Sequence, residues 1–447
     1  MRYDYDRYSD YRRSSLQEKL IIGGFIAFVV LIITTICYFA IPAIASTKIV
    51  KVLTYNTGFW IMLFVAAVFG LFRKLTNPEK FTWTELPIQL VASSVTILIL
   101  YMLFYTTSGN LSDHELLNGY VEKAEYYEAW TEEVTYTEEE ECGTDSDGNT
   151  KYCTVTKTRE DYHPPSWDLV TTLGAISIDE GTYGNYVRHW GNEKKVNLNH
   201  MDQVSHGDGD MFFSHHAGTL DAKMVPASIE HHYLNYLKAS DSIKKVSGQL
   251  SGFQELLKPY PKVYSAGFGP IEVDRVINAG VTLPNNWSNN LDRELDCILA
   301  QLGASKQVNV LVYVAKTADP QFGFALEEHW VKGKKNDVIV VIGLNQFPKI
   351  DFVHVIAWTK VEEFPLMLRN RIMDLGEAKD PHQIAEIISS QLTMSPANGG
   401  FVRMPMSDLE YLIRDIKLPL WCQIMIVIIG GAVSFGVSVW LVKNNIN

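Results

Sequence analysis

Four long apolar stretches without a charged residue constrain this chain more than any other feature of its sequence. A helix of about 20 apolar residues is long enough to cross the hydrocarbon core of a bilayer. Each stretch reaches that length, so the sequence predicts a membrane α-helical protein with four spans, three of them within residues 20–106. The stretches are residues 20–46, 52–72, 86–112 and 418–442.

The first stretch has a rival interpretation as a cleaved signal peptide. Ala43-Ile44-Ala45 has the small residues of a cleavage site. The apolar part of a signal peptide is about 7–15 residues long. The first stretch is longer, and an uncleaved span is therefore favoured.

Lysine and arginine in the short segments between the stretches predict the orientation. Segments 1–19, 73–80 and 443–447 hold nine of these residues, whereas segment 47–51 holds two. Because cytoplasmic segments carry the excess positive charge, 1–19 and 443–447 are predicted to be cytoplasmic tails. Residues 107–417, which end in a juxtamembrane segment at 397–417, then lie on the periplasmic side of a bacterial inner membrane.

The acidic charge of residues 107–417 limits the partners of this region. It holds 28 Lys and Arg against 45 Asp and Glu, a net charge of −17. Such a surface repels nucleic acid. The predicted partners are the lipid bilayer and other envelope membrane proteins. A homo-oligomer is a further candidate, because Gly23-Gly24 and segment 432–436 allow close helix packing, either between copies or within one chain.

Two of the five cysteines predict a disulfide. Cys142 and Cys153 flank the turn-forming run 143–150, and a strand-like arm lies on each side. We interpret residues 131–160 as a β-hairpin closed by a Cys142–Cys153 bond in an oxidising compartment, with two free thiols as the alternative. Asp145-Ser-Asp147 faintly resembles a calcium loop, but Thr156 stands where an EF-hand has glutamate.

Residues 291–396 alternate helical patterns with dense apolar strands, which is typical of an α/β domain. The preceding region, 107–290, gives mixed signals and is interpreted as α+β. The predicted strands are 308–314, 337–343 and 352–358, and the predicted helices are 291–302, 322–331, 364–373 and 382–392. In region 107–290 the predicted helices are 114–130, 184–190 and 228–238, with a strand at 195–199.

Three runs in this α/β region resemble a TPM domain, a family of extracytoplasmic, membrane-anchored proteins. They are Asn309-Val-Leu-Val-Tyr-Val314, Ala325-Leu-Glu-Glu-His-Trp330 and Gly333-Lys-Lys-Asn-Asp-Val-Ile-Val-Val341. The resemblance covers about 105 residues. It implies a TPM-like α/β fold and, for some relatives, phosphatase activity. After the third strand this chain has Ala357-Trp-Thr-Lys-Val-Glu-Glu363, where the family has a glycine-rich run.

The whole chain also resembles uncharacterised membrane proteins of large tailed bacteriophages. The resemblance brings no activity with it. It implies a phage-encoded protein, and one that alters the host envelope, for example by superinfection exclusion, is one function to consider. The runs that carry it include Tyr162-His-Pro-Pro-Ser-Trp167, Asp208-Gly-Asp210, His232-Tyr-Leu-Asn-Tyr236, Asp274-Arg-Val-Ile-Asn278 and Phe401-Val-Arg-Met-Pro-Met406.

One cluster of histidines and aspartates could hold a divalent metal. In an extended segment His206, Asp208 and Asp210 project from one face, and His215 or His216 would complete a zinc- or manganese-like site. No fixed metal-binding spacing is present, and Gly-Asp-Gly-Asp is also an ordinary turn. Histidines in loops are therefore the favoured interpretation. Further histidines lie at His200, His231 and His232.

Other catalytic signatures are missing from the sequence, including a nucleophile elbow and a phosphate loop. The leading hypothesis is therefore a non-enzymatic binding or scaffolding protein of the cell envelope. A metal-dependent, phosphatase-like hydrolase that uses the His/Asp cluster is the alternative.

Overall fold

A computed structural model describes most of the chain from residue 85 to residue 443, and six helical positions between residues 60 and 75. Gaps in the description fall at residues 109–111, 145–149, 199, 201–202, 206–208, 217–222, 241–251, 266–267 and 417. The chain divides into two compact units. One unit contains the described residues up to Asp113 together with 232–245 and 405–447, and the other contains residues 114–231 and 246–404.

The described residues form fifteen strands and eight α-helices beyond residue 84. The strands are β1 (Ser112–Tyr127), β2 (Trp130–Thr144), β3 (Thr150–His163), β4 (Ser166–Thr171), β5 (Gly174–Ser177), β6 (Lys194–Val196), β7 (Gln203–Ser205), β8 (Met211–His215), β9 (Pro226–Leu234), β10 (Tyr264–Ser265), β11 (Pro270–Glu272), β12 (Val276–Ala279), β13 (Asn309–Ala315), β14 (Asp337–Gly343) and β15 (Phe352–Ala357). The helices are α1 (Glu85–Ser108), α2 (Glu180–Trp190), α3 (Tyr236–Ala239), α4 (Trp287–Lys306), α5 (Gln321–His329), α6 (Phe364–Met373), α7 (Pro381–Thr393) and α8 (Leu420–Lys443), and 3-10 turns lie at Pro396–Asn398 and Met406–Asp415.

The helical unit corrects the four-span prediction. Within the described residues one helix, α8, is long and apolar enough to cross a membrane, over Leu420–Val437 with a mean hydropathy of 2.1. It packs against α1, whose apolar part is the shorter run Pro87–Tyr101. Phe104 meets Trp421 edge to face at 5.7 Å between ring centroids. The predicted span 20–46, and nearly all of 52–72, lie outside the described residues.

The rest of the described chain is rich in sheet. It forms four sheets of six, four, three and two strands. A fold class of four membrane helices is therefore wrong. The multi-pass topology with residues 107–417 on the periplasmic side is wrong with it, because that topology required four spans and the structure has one helix of spanning length in the part of the chain it describes.

The α/β sheet has the strand order β12-β13-β14-β15, with the first three strands parallel and β15 antiparallel to β14. Every residue of β13 and β14 is buried, because helices cover both faces of the sheet. Val310, Val312 and Val314 pack against α4, α6 and α7. Leu311 and Tyr313 face α5 and residues 253–260 instead.

The six-stranded sheet has the order β5-β4-β1-β8-β6, and β9 also pairs with β1. Its core includes Tyr186 and Trp190 of α2, the helix that Asp179 begins by accepting the Thr182 amide at 2.8 Å. The predicted helix at 114–130 is wrong, since β1 occupies that segment. In β1 adjacent residues are buried in pairs at 115–116 and 118–119, and this spacing resembles that of a helix.

Of the other predicted helices and strands, one is wrong and those of residues 291–396 are confirmed. The predicted helix 228–238 is wrong, because Pro226–Leu234 is strand β9 and only Tyr236–Ala239 is helical. The predicted strands and helices of 291–396 are confirmed to within a few residues. The α/β sheet also contains Val276–Ala279, which lies before the predicted start of this domain at 291.

A buried arginine joins the six-stranded sheet to the α/β sheet. Arg275 is 1% exposed, and its guanidinium donates to four side chains. The acceptors are Asp296 Oδ1 of α4 at 2.5 Å, Asn309 Oδ1 of β13 at 2.7 Å, Asn118 Oδ1 of β1 at 2.8 Å and Ser228 Oγ of β9 at 2.7 Å. A buried polar network therefore connects the two sheets, in addition to apolar packing.

A second buried group, the Glu115 carboxylate at the start of β1, lies among three basic side chains. Arg403 binds both its oxygens, at 2.8 and 2.6 Å. Lys335 Nζ lies 2.9 Å away and His231 Nδ1 lies 3.0 Å away. The side chain is 1% exposed, so these partners replace water around the charge.

Candidate functional site

Strands β2 and β3 form a long two-stranded hairpin, which we call the ribbon. Its register runs without interruption from Trp130 opposite His163 to Glu141 opposite Tyr152, and a bulge precedes the tip. Fourteen residues of strand span about 45 Å at the usual rise per residue. Most of its side chains are exposed, so the ribbon is an arm rather than part of a core.

A disulfide closes the ribbon near its tip and confirms the predicted Cys142–Cys153 pair. The two Cα atoms lie 5.6 Å apart. Cys142 occupies the bulge between Glu141 and Gly143, and Cys153 lies opposite Glu140. An isolated two-stranded hairpin is marginally stable in water, so this bond contributes to keeping the arm formed.

The base of the ribbon is held by stacked rings. Trp130 lies between His163 and His200, with ring centroids 4.4 and 3.8 Å apart. Gly209, at φ +63°, passes close to this stack, and a Cβ there would overlap His200 and Trp130. Beside the stack, β7 pairs with Thr131 and Glu132 of β2. The arm therefore leaves the sheet region at a fixed point.

Side chains alternate across the ribbon, so the register defines two different faces. One face, here the paired face, carries the cations and their partners. Lys157 binds Glu138 at 2.8 Å and also Glu140, and these hydrogen bonds raise the pKa of the Lys157 ammonium. Arg159 binds Asp161 at 3.0 Å, so charges on this face are largely balanced within the ribbon.

The opposite face, here the open face, has a different composition. By register it carries four glutamates and no lysine or arginine from either strand. Tyr152 and Tyr162 are 58% and 61% exposed on it. Its members are Thr131, Glu133, Thr135, Thr137, Glu139, Glu141, Tyr152, Thr154, Thr156, Thr158, Glu160 and Tyr162.

This separation into faces was not predicted, although the acidic arm was. The signal was present as alternating threonines, at Thr135 and Thr137 on one arm and at Thr154, Thr156 and Thr158 on the other. Assigning them to one face required the register of the two arms, and the register depends on the bulge at the tip.

Two members of the predicted metal site, His206 and Asp208, lie outside the described residues. Asp210 accepts from Lys195 Nζ and from the Leu198 amide, both at 2.8 Å. The Lys195 hydrogen bond outweighs burial and holds the pKa of Asp210 below its usual range. His215 ends β8, and its ring lies 5.7 Å from that of Phe213.

The remaining histidines serve separate local contacts. His200 stacks on Trp130, His231 binds Glu115, and the backbone amide of His216 donates to Glu122 O at 2.9 Å. Within the part of the chain that the structure describes, no group of three or more His, Cys, Asp or Glu is placed to hold a metal. The metal site stays a prediction, since half of its residues are not described.

A groove between α4 and α7 is the other candidate site. Its volume is about 590 Å³. The Cys297 thiol in it has a pKa raised by burial and by the Asp296 carboxylate, which makes it a poor nucleophile at neutral pH. His382 binds Glu294 at 2.9 Å, and this hydrogen bond raises the pKa of the imidazole. The lining residues are Arg293, Glu294, Cys297, Ile298, His382, Ala385, Glu386, Ser389 and Ser390.

Comparison of the chain with protein families, with curated proteins and with solved structures gave no match. The resemblances to the TPM-domain family and to phage membrane proteins therefore stay predictions.

Opening the disulfide is expected to loosen the ribbon alone. Closing a loop of about 12 residues stabilises by roughly 2–3 kcal/mol in the chain-entropy account. In a Cys142→Ser variant we expect faster amide hydrogen exchange over β2 and β3, with unchanged exchange in β13 and β14. Cys297→Ser, which removes an unbonded thiol, is the control. Unchanged exchange in the ribbon of Cys142→Ser would show that the strands hold without the bond.

Proposed function

We propose that this protein acts by contact, as a non-enzymatic binding or scaffolding protein, and that the ribbon is its contact element. The observation that carries the proposal is an arm of two strands, exposed on both faces and closed by a disulfide at its far end. Such an arm adds little to the cores of the molecule. Its long exposed surface is suited to binding another protein.

The open face suggests the chemistry of the partner. Four glutamates lie there without a cation from either strand, and two tyrosines offer large apolar surfaces with polar tips. Complementary charge steers association and selects partners. We therefore propose a partner protein whose surface is basic and has pockets for the tyrosine rings. That this partner is another membrane protein stays a prediction.

A charge reversal on the open face tests the proposal. Full-length protein carrying Glu139→Lys and Glu141→Lys should recover its cross-linked partner at least tenfold less well than wild type, measured by quantitative mass spectrometry after cross-linking in cells. Glu362→Lys with Glu363→Lys, an equal change at exposed positions beside α6, should recover it normally.

Two results would contradict a contact function through the ribbon. One is equal loss of the partner in both charge-reversed proteins. The other is stoichiometric zinc or manganese in the purified protein with phosphate-ester hydrolysis that Asp208→Ala abolishes, which would establish the hydrolase instead.

A further inference from the structure

The outer edge of β3 is a long strand edge without a partner strand in the described part of the chain. The three-stranded sheet has the order β3-β2-β7, so β3 pairs with β2 alone. Its fourteen residues contain no proline or glycine, and the bulge of the ribbon lies in β2. A regular edge of this kind exposes a row of backbone donors and acceptors that can pair with another strand.

The usual protection of such an edge is reduced at two of the three cations of β3. Charged side chains, above all lysines, keep strand edges apart. In β3, Lys157 and Arg159 are bound to Glu138, Glu140 and Asp161 of the same ribbon. Each of these two positive charges is therefore partly offset within its own ribbon, although like charges set directly opposite each other in a new strand pair still repel.

We propose that β3 pairs with β3 of a second copy of this chain, antiparallel and around a two-fold axis at Thr156. This inference rests on the proposed role of the ribbon as contact element. It identifies one partner of the ribbon, a second copy of the same chain. A two-fold axis perpendicular to the sheet keeps like faces together, so it must pass through a residue position of β3. Pairing of eight or more residues then requires an axis at one of the six positions from Thr154 to Arg159.

Charge decides among those registers. Axes at Thr154, Val155 or Thr158 set lysine or arginine opposite lysine or arginine, and axes at Lys157 or Arg159 set that cation opposite its own copy. Like charges directly opposite destabilise a strand pair. The axis at Thr156 avoids all such pairs.

The register at Thr156 is also favourable in itself. It pairs thirteen of the fourteen residues of β3, from Thr150 to Tyr162. Lys151 lies opposite Asp161 twice, once on each side of the axis, and Thr154 lies opposite Thr158. A parallel arrangement would need a two-fold axis along the strands, which turns the faces of the two copies to opposite sides, so that facing residues would not share a face of the sheet.

Paired in this way, the two ribbons form one four-stranded sheet, β2-β3-β3-β2. The open faces of both copies then join into a single acidic, threonine-lined surface. A second copy therefore doubles the area that the ribbon offers to a basic partner, without changing either fold.

Cysteine scanning along β3 tests the pairing in the full-length protein. Opposite residues in antiparallel strands have Cα atoms about 4.5–5.5 Å apart, within the range that a disulfide spans. Under mild oxidation Thr156→Cys should form a covalent dimer, identified by mass spectrometry as two copies of the same peptide joined through the introduced thiols. Thr158→Cys is the matched control on the same face, because its own copy lies four residues away along the edge.

Mixing two variants makes the register explicit. Thr154→Cys and Thr158→Cys proteins should cross-link to each other at least tenfold more than either does to itself. Failure of Thr156→Cys to cross-link, or equal cross-linking by Thr158→Cys alone, would overturn the proposal. Because this assay contains no other protein, its failure is separate from loss of a basic partner in the charge-reversed variants.

Exchanging the charges at Lys151 and Asp161 tests the same register independently. Lys151→Glu should weaken self-association at least tenfold in sedimentation experiments, and adding Asp161→Lys should restore it, since each change is opposite the other across the axis. Glu139→Lys, on β2, should leave self-association within about twofold of wild type. A double variant as weak as the single one would contradict the register.

Discussion

Replacing Arg275 by methionine is expected to lower the free energy of unfolding by roughly 3–5 kcal/mol, because removing one partner of a buried ion pair leaves the other charge uncompensated. Four acceptors lose a donor at once, among them the Asp296 carboxylate, while Asn118 Oδ1 and Asn309 Oδ1 each keep a second donor. Methionine fills the space of the aliphatic part of the arginine side chain but not that of the guanidinium, so the loss combines the broken polar network with the space that the guanidinium leaves. Chemical denaturation followed by tryptophan fluorescence measures it.

Two further variants show that the charge is the cause. Arg369→Met removes an arginine that lies exposed on α6 and binds only its neighbour Asn370 among the bonds described. It should cost less than about 1 kcal/mol. Asp296→Asn combined with Arg275→Met should regain part of the stability, because it removes the unpaired carboxylate. Equal stability of Arg275→Met and Arg369→Met would contradict the role given to the network.

This network could not be predicted from the sequence. The partners of Arg275 lie 21, 34, 47 and 157 residues away along the chain. No local pattern marks Asn118 or Ser228 as buried, since both residue types are common on surfaces. Only the pairing of β1 with β9, beside the α/β sheet, brings them to the guanidinium.

The α/β sheet was predictable because its signal is local and redundant. Strands β13 and β14 are unbroken runs rich in Val, Ile, Leu and Tyr, and burial on both faces requires such composition. The helices around them carry apolar residues at helical spacing. The edge strand β12, by contrast, has four residues and was missed.

The apolar stretch at residues 86–112 was misleading for a physical reason. A charge-free stretch can be longer than its apolar part, and in this one the polar residues Thr106, Thr107 and Ser108 follow the apolar run. In α1 the apolar run is Pro87–Tyr101, shorter than a span, and Ile97 packs closely against Gly430 of α8. The ribbon, in turn, was predicted as a hairpin with its disulfide, but its two faces depend on a register that composition does not contain.

Acidification is expected to stabilise the α/β sheet through Asp337. This carboxyl group is 1% exposed at the start of β14, and burial raises its pKa to about 6 despite hydrogen bonds from Asn309, Lys334 and Tyr260. In the unfolded chain an aspartate titrates near about 3.9. Between about pH 4 and pH 6 the folded state therefore holds more protons than the unfolded state, and stability falls as the pH rises through that window.

The difference between these two pKa values corresponds to roughly 3 kcal/mol of stability, of which roughly 2 kcal/mol is lost between pH 4 and pH 7 because the unfolded aspartate is already about half ionised at pH 4. Asp337→Asn removes this titration, so the difference in unfolding free energy between wild type and variant should shift by the latter amount between the two pH values. Asp292, whose pKa burial also raises to about 6, titrates in both proteins and cancels from the comparison. Asp374→Asn, at an exposed position after α6, is the control and should leave the pH dependence unchanged. If wild type and Asp337→Asn keep a constant difference from pH 4 to pH 7, the buried carboxyl group is ionised throughout and the hydrogen bonds from Asn309, Lys334 and Tyr260 compensate fully for its burial.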